Sequence, residues 1–138
     1  MPKSKEIILL NISGQDRAGV TASLTSVLAL YDINILDIGQ AVIHEDLGLG
    51  ILFEVPEKSE SSPILKDLLF KAYEMGVTVK FTPIPIEKYE EWVNHQGKDR
   101  HIITLLAKKL KSTDLSRVSQ IIASQKLNID KITRLSGR

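Results

Sequence analysis

The last third of this chain repeats its first third, and that repeat decides what the chain can fold into. Asp32-Ile33-Asn34-Ile35-Leu36-Asp37-Ile38 aligns with Lys126-Leu127-Asn128-Ile129-Asp130-Lys131-Ile132 at an offset of 94 residues. Without a gap, Ile8 falls on Ile102, Leu24 on Val118, Val27 on Ile121 and Leu28 on Ile122. The first copy runs on for about as long again after the matching segment, whereas the second stops at Arg138. The expectation is one complete small domain followed by about half of another.

Periodicity assigns the elements of the first copy. Residues 6–13 form an unbroken apolar run ended by Gly14, which suits a strand central in a sheet. Val20, Leu24, Val27, Leu28 and Tyr31 then recur at helical spacing. Thr21, Ser23, Thr25 and Ser26 on the other face lower intrinsic helicity, so this helix depends on packing. A second strand spans about residues 35–43, with Leu36, Ile38 and Val42 on one face and Asp37, Gly39 and Ala41 on the other.

After a polar connection at His44-Glu45-Asp46, Leu47, Leu49, Ile51, Phe53 and Val55 alternate with Gly48, Gly50, Leu52 and Glu54. This is an antiparallel strand whose glycines imply a close backbone or helix on the minor face. Ser62 is the expected cap and Pro63 the first residue of a second helix with the stripe Leu65, Leu68, Leu69, Ala72 and Met75, ended by Gly76. Residues 77–81 give a fourth strand, stopped by Pro83 and Pro85.

The order is βαββαβ, an α+β, ferredoxin-like plan with both helices on one face of a four-stranded sheet. The domain division read from the sequence is 1–85, a linker over 86–99 with one helical turn pinned by Tyr89 and Trp92, and an incomplete second unit over 100–138. That unit repeats strand, helix and strand over about 100–107, 113–125 and 128–135. Such a piece cannot cover its own stripe of Leu115, Val118, Ile121 and Ile122. Either the chain continues beyond Arg138, which is the expectation, or the piece docks on the first domain or on a second copy.

Composition narrows the function. A net charge of +1 with no long basic run gives no nucleic-acid or membrane signature. The absence of cysteine excludes disulfides, thiol catalysis and thiolate metal sites, and fits the cytoplasm. The opening Met1-Pro2-Lys3-Ser4-Lys5-Glu6 has no signal-peptide core, and no apolar run reaches the length of a membrane span. His44, His95 and His101 lack ligand spacing, so no metal site is expected.

The stretch from Ile8 to Val20, with the turn Asp16-Arg17-Ala18-Gly19, followed by Ile33-Asn34-Ile35, resembles the opening of an ACT domain, whose D-x-x-G turn joins first strand to first helix. The tandem arrangement, the run from Arg100 to Leu106 and the closing Leu127 to Arg138 are similar to the N-terminal regulatory region of bacterial phosphoserine phosphatases. There two ACT-like modules precede a catalytic domain of the haloacid-dehalogenase type. The resemblance covers essentially the whole chain. The catalytic D-x-D-x-T motif of that family is missing, because no D-x-D occurs here. It implies that this chain has no catalytic residues and no cofactor, Mg2+ belonging only to the absent catalytic domain.

The turn leading into the first helix presents free N–H groups and the positive end of a helix dipole, a favourable place for a carboxylate. Gly19 lets a ligand approach the backbone. Asp16 is placed to accept from an α-ammonium group, and Arg17 to close over the carboxylate. The resemblance implies the same, since ACT domains commonly hold an amino acid between this turn and the strand start of a partner module. The expected ligand-binding residues are Gly14, Asp16, Arg17, Ala18, Gly19 and Val20, with Asn34 and Ile35 as the second half-site.

The bland alternatives are that Asp16 is a helix cap and Asn34 a turn former. In the second copy Asp16 and Gly19 fall on Leu110 and Thr113, beside Lys108, Lys109 and Lys111. Only Asn128 is kept. The second copy therefore lends Asn128 to a site whose turn comes from the first module, or serves dimerisation alone.

The expectation is an amino-acid-sensing regulatory module of a phosphoserine phosphatase, working as a homodimer, with L-serine favoured as ligand and glycine possible. The alternative is a free-standing regulator resembling the glycine cleavage system repressor, acting through a protein partner. The regulatory head of a formyltetrahydrofolate deformylase fits the first turn but not the second copy.

Overall fold

The computed structural model describes residues 5–56, 60–96 and 100–135. The chain start over 1–4, part of the polar loop at 57–59, the linker end at 97–99 and the closing 136–138 lie outside the described residues. The chain divides into two compact units, residues 1–98 and 99–138.

In the first unit the order is β1 (Glu6–Gln15), α1 (Val20–Leu30), β2 (Asn34–Ile43), β3 (Asp46–Val55), α2 (Ser61–Met75), β4 (Thr78–Ile84) and α3 (Ile86–Gln96). The four strands form one antiparallel sheet in the order β2-β3-β1-β4. This is the ferredoxin-like βαββαβ arrangement, with β1 central as its double-sided apolar run requires.

Alternation on β3 is complete: Leu47, Leu49, Ile51, Phe53 and Val55 are all buried. They meet Ile8, Leu10 and Ile12 of β1 beneath Val20, Leu24, Val27 and Leu28 of α1 and Ile64 and Leu68 of α2. At about 1.5–3 kcal/mol per buried aliphatic side chain, these stripes hold the helices to the sheet. The hydroxyls of Thr25 and Ser26 bond back to the carbonyls of Thr21 and Ala22, which keeps α1's polar face satisfied within the helix.

Several expectations needed correction. The buried face of α2 is Ile64, Leu68 and Ala72, at regular i+4 spacing, while Leu69 is exposed. The helix begins at Ser61, with Glu60 at the cap position, so neither Ser62 nor Pro63 starts it. On β2 the pairing with β3 slips between Ile35 and Asp37, leaving Leu36 as an extra, unpaired residue. Gly48 and Gly50 face no close backbone among the described residues. A Cβ there would meet only the Ala41 carbonyl oxygen at 4.0 Å or Asn11 Oδ1 at 3.7 Å.

The segment read as a linker with one turn is the helix α3. Tyr89 and Trp92, three residues apart, stand on one side with ring centroids 5.8 Å apart. This helix packs near β1, and Ile7, on the sheet face away from α1 and α2, is buried.

The second unit contains one regular element among the described residues, α4 (Ser112–Ser124). The repeat is visible at its end. Tyr31, Asp32 and Ile33 donate backbone N–H bonds to Leu28, Ala29 and Leu28, and Gln125, Lys126 and Leu127 do the same to Ile122, Ala123 and Ile122. Asp32 and Lys126 both take left-handed φ, 53° and 60°. Both helices therefore stop in the same Schellman-type turn, 94 residues apart. Residues 100–107 and 128–135, expected as strands, form no ladder among the described residues. The physical reason is in the first unit: β1 and β2 bond to β3 and not to each other, and the second copy has no counterpart of β3.

Among the described residues no helix is long and apolar enough to cross a membrane.

Candidate functional site

β1 ends at Gln15 and α1 starts at Val20, so the chain must reverse within four residues. Gly19 makes the final bend at φ 89°, a conformation that side chains other than glycine's rarely take, and a Cβ there would project into open space. The Gly19 carbonyl accepts the first helical bond, from Ser23 N–H at 2.8 Å. No side chain caps this end. The amides of Val20, Thr21 and Ala22 thus lie in the uncapped first turn of the helix.

Asp16 is not the cap. Its backbone N–H donates to the Glu45 carbonyl at 2.7 Å, which fixes the turn against the hairpin between β2 and β3, and its side chain is exposed. The Arg17 guanidinium reaches the far end of α2, where Nη2 lies 3.4 Å from a Cβ built on Gly76. That helix ends with Gly76 and Val77 N–H groups on the Tyr73 and Ala72 carbonyls, so the cation sits at the negative end of the dipole.

A shallow hollow of about 500 Å³ opens here, lined by Asp16 to Ala22 with Gln40 and Leu47. Five of the expected residues, Asp16, Arg17, Ala18, Gly19 and Val20, are therefore brought together. Gly14 is outside the lining; its place in β1 is explained by packing, since a Cβ would fall 2.9 Å from Val77 Cγ1.

Asn34 and Ile35 are also outside it. Asn34 pairs with Glu54, which pairs with Ile7, whereas the turn adjoins Gln15. Within one module they stand at opposite ends of β1, roughly 26 Å apart at about 3.3 Å per residue. Asn128 belongs to the second unit.

Gln40 was missed. Its side-chain oxygen accepts from Thr21 Oγ1 at 2.5 Å, bridging β2 to the first turn of α1. The signal was available: Gln40 is the polar interruption in the apolar series Leu36, Ile38 and Val42.

The counterpart end of α4 is built differently. Asp114, which occupies the place of Val20 in the repeat, puts a carboxylate in the first turn and accepts from the Lys111 N–H at 3.3 Å, although no side chain caps the first-turn amides there either. Among the described residues no group of three or more His, Asp or Glu is placed to hold a metal.

Comparison with known proteins places these features. A sequence model described as the ACT domain matches residues 6–82. The phosphoserine phosphatase SerB2 of Mycobacterium tuberculosis is 27% identical over 134 residues, which is 96% of this chain and 32% of that protein. The chain thus spans about a third of that relative's length. A UPF0237 protein of Methanocaldococcus jannaschii is 34% identical over 83 residues, 59% of this chain and 92% of that one. Among solved structures, a putative glycine cleavage system transcriptional repressor superposes with a TM-score of 0.62 at 12% identity, covering 97% of this chain and 74% of that one.

Proposed function

The chain belongs to the ACT domain family, and from this premise we propose that it is an amino-acid-binding module, the N-terminal regulatory part of a phosphoserine phosphatase, sensing L-serine or a close relative. One observation carries the proposal: α1 begins above a hollow with neither a side-chain cap nor an acidic residue in its first turn, while the first turn of its repeat α4 already holds the Asp114 carboxylate. A likeness to a phosphoserine phosphatase along nearly the whole chain supports the choice of parent enzyme.

In this proposal the ligand carboxylate lies on the amides of Val20, Thr21 and Ala22, favoured by the helix dipole. The α-ammonium group donates to the Asp16 carboxylate. The Thr21–Gln40 pair, already hydrogen-bonded, is in position to exchange that bond for one with a ligand hydroxyl, which distinguishes serine from glycine. Arg17 forms one wall. Because Asn34 stands at the other end of the sheet, the second half of the site comes from another module, through its Asn34 and Ile35 or through Asn128. Binding at such a seam favours one arrangement of modules and so biases an attached catalytic domain.

Isothermal titration with L-serine and with glycine tests this. Saturation at about a hundred times Kd raises stability by about 2.7 kcal/mol and the melting temperature with it. Asp16→Asn weakens binding by about tenfold or more, as expected for loss of a charged hydrogen bond. Gln40→Ala weakens serine binding more than glycine binding. No heat and no change in melting temperature at millimolar ligand would remove the proposal.

A further inference from the structure

Arg17 belongs to two places at once. Its side chain lines the hollow over the first turn of α1, and its guanidinium stands at the C-terminal end of α2, 3.4 Å from a Cβ built on Gly76. Among the described residues no carboxylate forms an ion pair with it, and Glu74, in the last turn of α2, pairs with Lys71 at 3.1 Å. What draws Arg17 to α2 is therefore the helix end itself, worth about half an elementary charge of opposite sign.

The corner beneath it is closely built. α2 ends through the left-handed Gly76, whose N–H donates to the Tyr73 carbonyl at 3.1 Å, and Val77 N–H donates to the Ala72 carbonyl at 3.0 Å. Val77 closes on β1, where a Cβ on Gly14 would lie 2.9 Å from its Cγ1, and Thr78 then enters the sheet beside Ser13. The end of β1 and the turn after it thus meet this corner twice. Gly14 and Val77 meet rigidly, whereas Arg17 reaches it with an exposed side chain that is free to rotate.

We propose that Arg17 couples the hollow to the α2–β4 corner by exchanging partners, an inference that rests on the amino-acid site proposed above. In the ligand-free chain Arg17 completes the C-terminal end of α2. A ligand carboxylate on the amides of α1 carries a full charge and accepts two parallel guanidinium N–H bonds, so it outcompetes the helix end. Arg17 then closes over the ligand, and the last turn of α2 loses its cation. Occupancy is felt in this way at the start of β4 as well as at the turn. The link is reciprocal: holding Arg17 on α2 weakens the ligand by the factor by which the ligand loosens the end of α2.

Amide exchange of the full 138-residue chain, followed by NMR without ligand and with saturating L-serine or glycine, tests this. Ligand should slow exchange at Val20, Thr21 and Ala22 and speed it by about two- to fivefold at Gly76 and Val77, opposite signs at two helix ends. Without ligand, Arg17→Gln should speed Gly76 and Val77 by the same factor, and ligand should then add nothing there. The same variant should weaken binding by about fivefold or more. Arg17→Lys, which keeps the charge and loses the fork, should restore the ligand-free rates at the corner and part of the response.

Protection at Val20 to Ala22 with Gly76 and Val77 unmoved would overturn the coupling and leave the site standing. A corner indifferent to Arg17→Gln without ligand, or one that still responds to ligand in that variant, would overturn it as well. No protection at Val20 to Ala22 by either amino acid would remove the site and the coupling together.

Discussion

The Asp16 amide and the Glu45 carbonyl, 2.7 Å apart, join the turn before α1 to the β2–β3 hairpin, so the shape of the hollow depends on that hairpin. The hairpin itself is under local strain. His44 holds φ at 57° in a two-residue connection between Ile43 and Asp46, a conformation that costs a β-carbon-bearing residue about 1–2 kcal/mol. His44→Gly removes that cost and gives back part of it as unfolded-chain entropy. The expected outcome is a net gain of about 0.5–1 kcal/mol in urea unfolding, with the Asp16 amide exchanging no faster than in the parent.

Gly14 and Val77 make a second checkable pair. A Cβ on Gly14 would lie 2.9 Å from Val77 Cγ1 and 3.3 Å from its Cα, where β1 passes the residue preceding β4. Gly14→Ala should cost about 1–3 kcal/mol by overpacking. Val77→Ala removes Cγ1 but not the backbone carbon behind it, so rescue is partial. In a double-mutant cycle the two losses should sum to about 1 kcal/mol more than the double variant loses. Strict additivity would mean that Gly14 is needed for something other than room.

The parts of this fold that could be read from the sequence are those where one face is buried and the other is wet. Leu47 to Val55 shows period two because β3 has α1 and α2 on one side and little on the other. The D-x-x-G turn was legible because Gly19 needs a positive φ. Gln40 was passed over because a strand polar residue is ordinarily solvated, and only the tertiary placement of Thr21 above it gives it a partner.

The α3 helix was hidden by its composition: Glu87, Lys88, Glu90 and Glu91 leave too short an apolar stripe, yet Tyr89 and Trp92 suffice to anchor it. The missing strands at 100–107 and 128–135 have a deeper cause. Periodicity reports which residues want burial and carries no information on whether a ladder partner exists.

The two equivalent helix ends give a paired prediction. Asp32 and Lys126 both sit in the left-handed position of a Schellman-type turn, where glycine is the unstrained residue. Asp32→Gly should stabilise the first unit by about 0.5–1 kcal/mol in urea unfolding. Lys126→Gly should slow amide exchange at Lys126 and Leu127 by about two- to fivefold, the same free energy expressed locally. An effect at 32 without one at 126 would mean that α4's last turn is not formed in solution.

Tyr31 and Asp67 set the behaviour at high pH. The Tyr31 hydroxyl, at the end of α1, donates to the Asp67 carboxylate on α2, linking the two helices over the core. That hydrogen bond, then burial, then the nearby negative charge raise the phenol's pKa above its ordinary value of 10.0. The folded chain thus keeps a proton that the unfolded chain releases near pH ~10. The stabilisation is fully present below that pH and is lost as pH rises through the folded-state value.

Urea midpoints measured from about pH 8 to about pH 11 should fall more steeply for the parent than for Tyr31→Phe. Below pH ~9 the variant should be the less stable of the two, and the difference should narrow as Tyr31 ionises in the parent. Asp67→Asn keeps an acceptor while removing the charge, so its alkaline loss should lie between those of the parent and Tyr31→Phe. Parallel curves for the parent and Tyr31→Phe would show that the two helices meet without this bond.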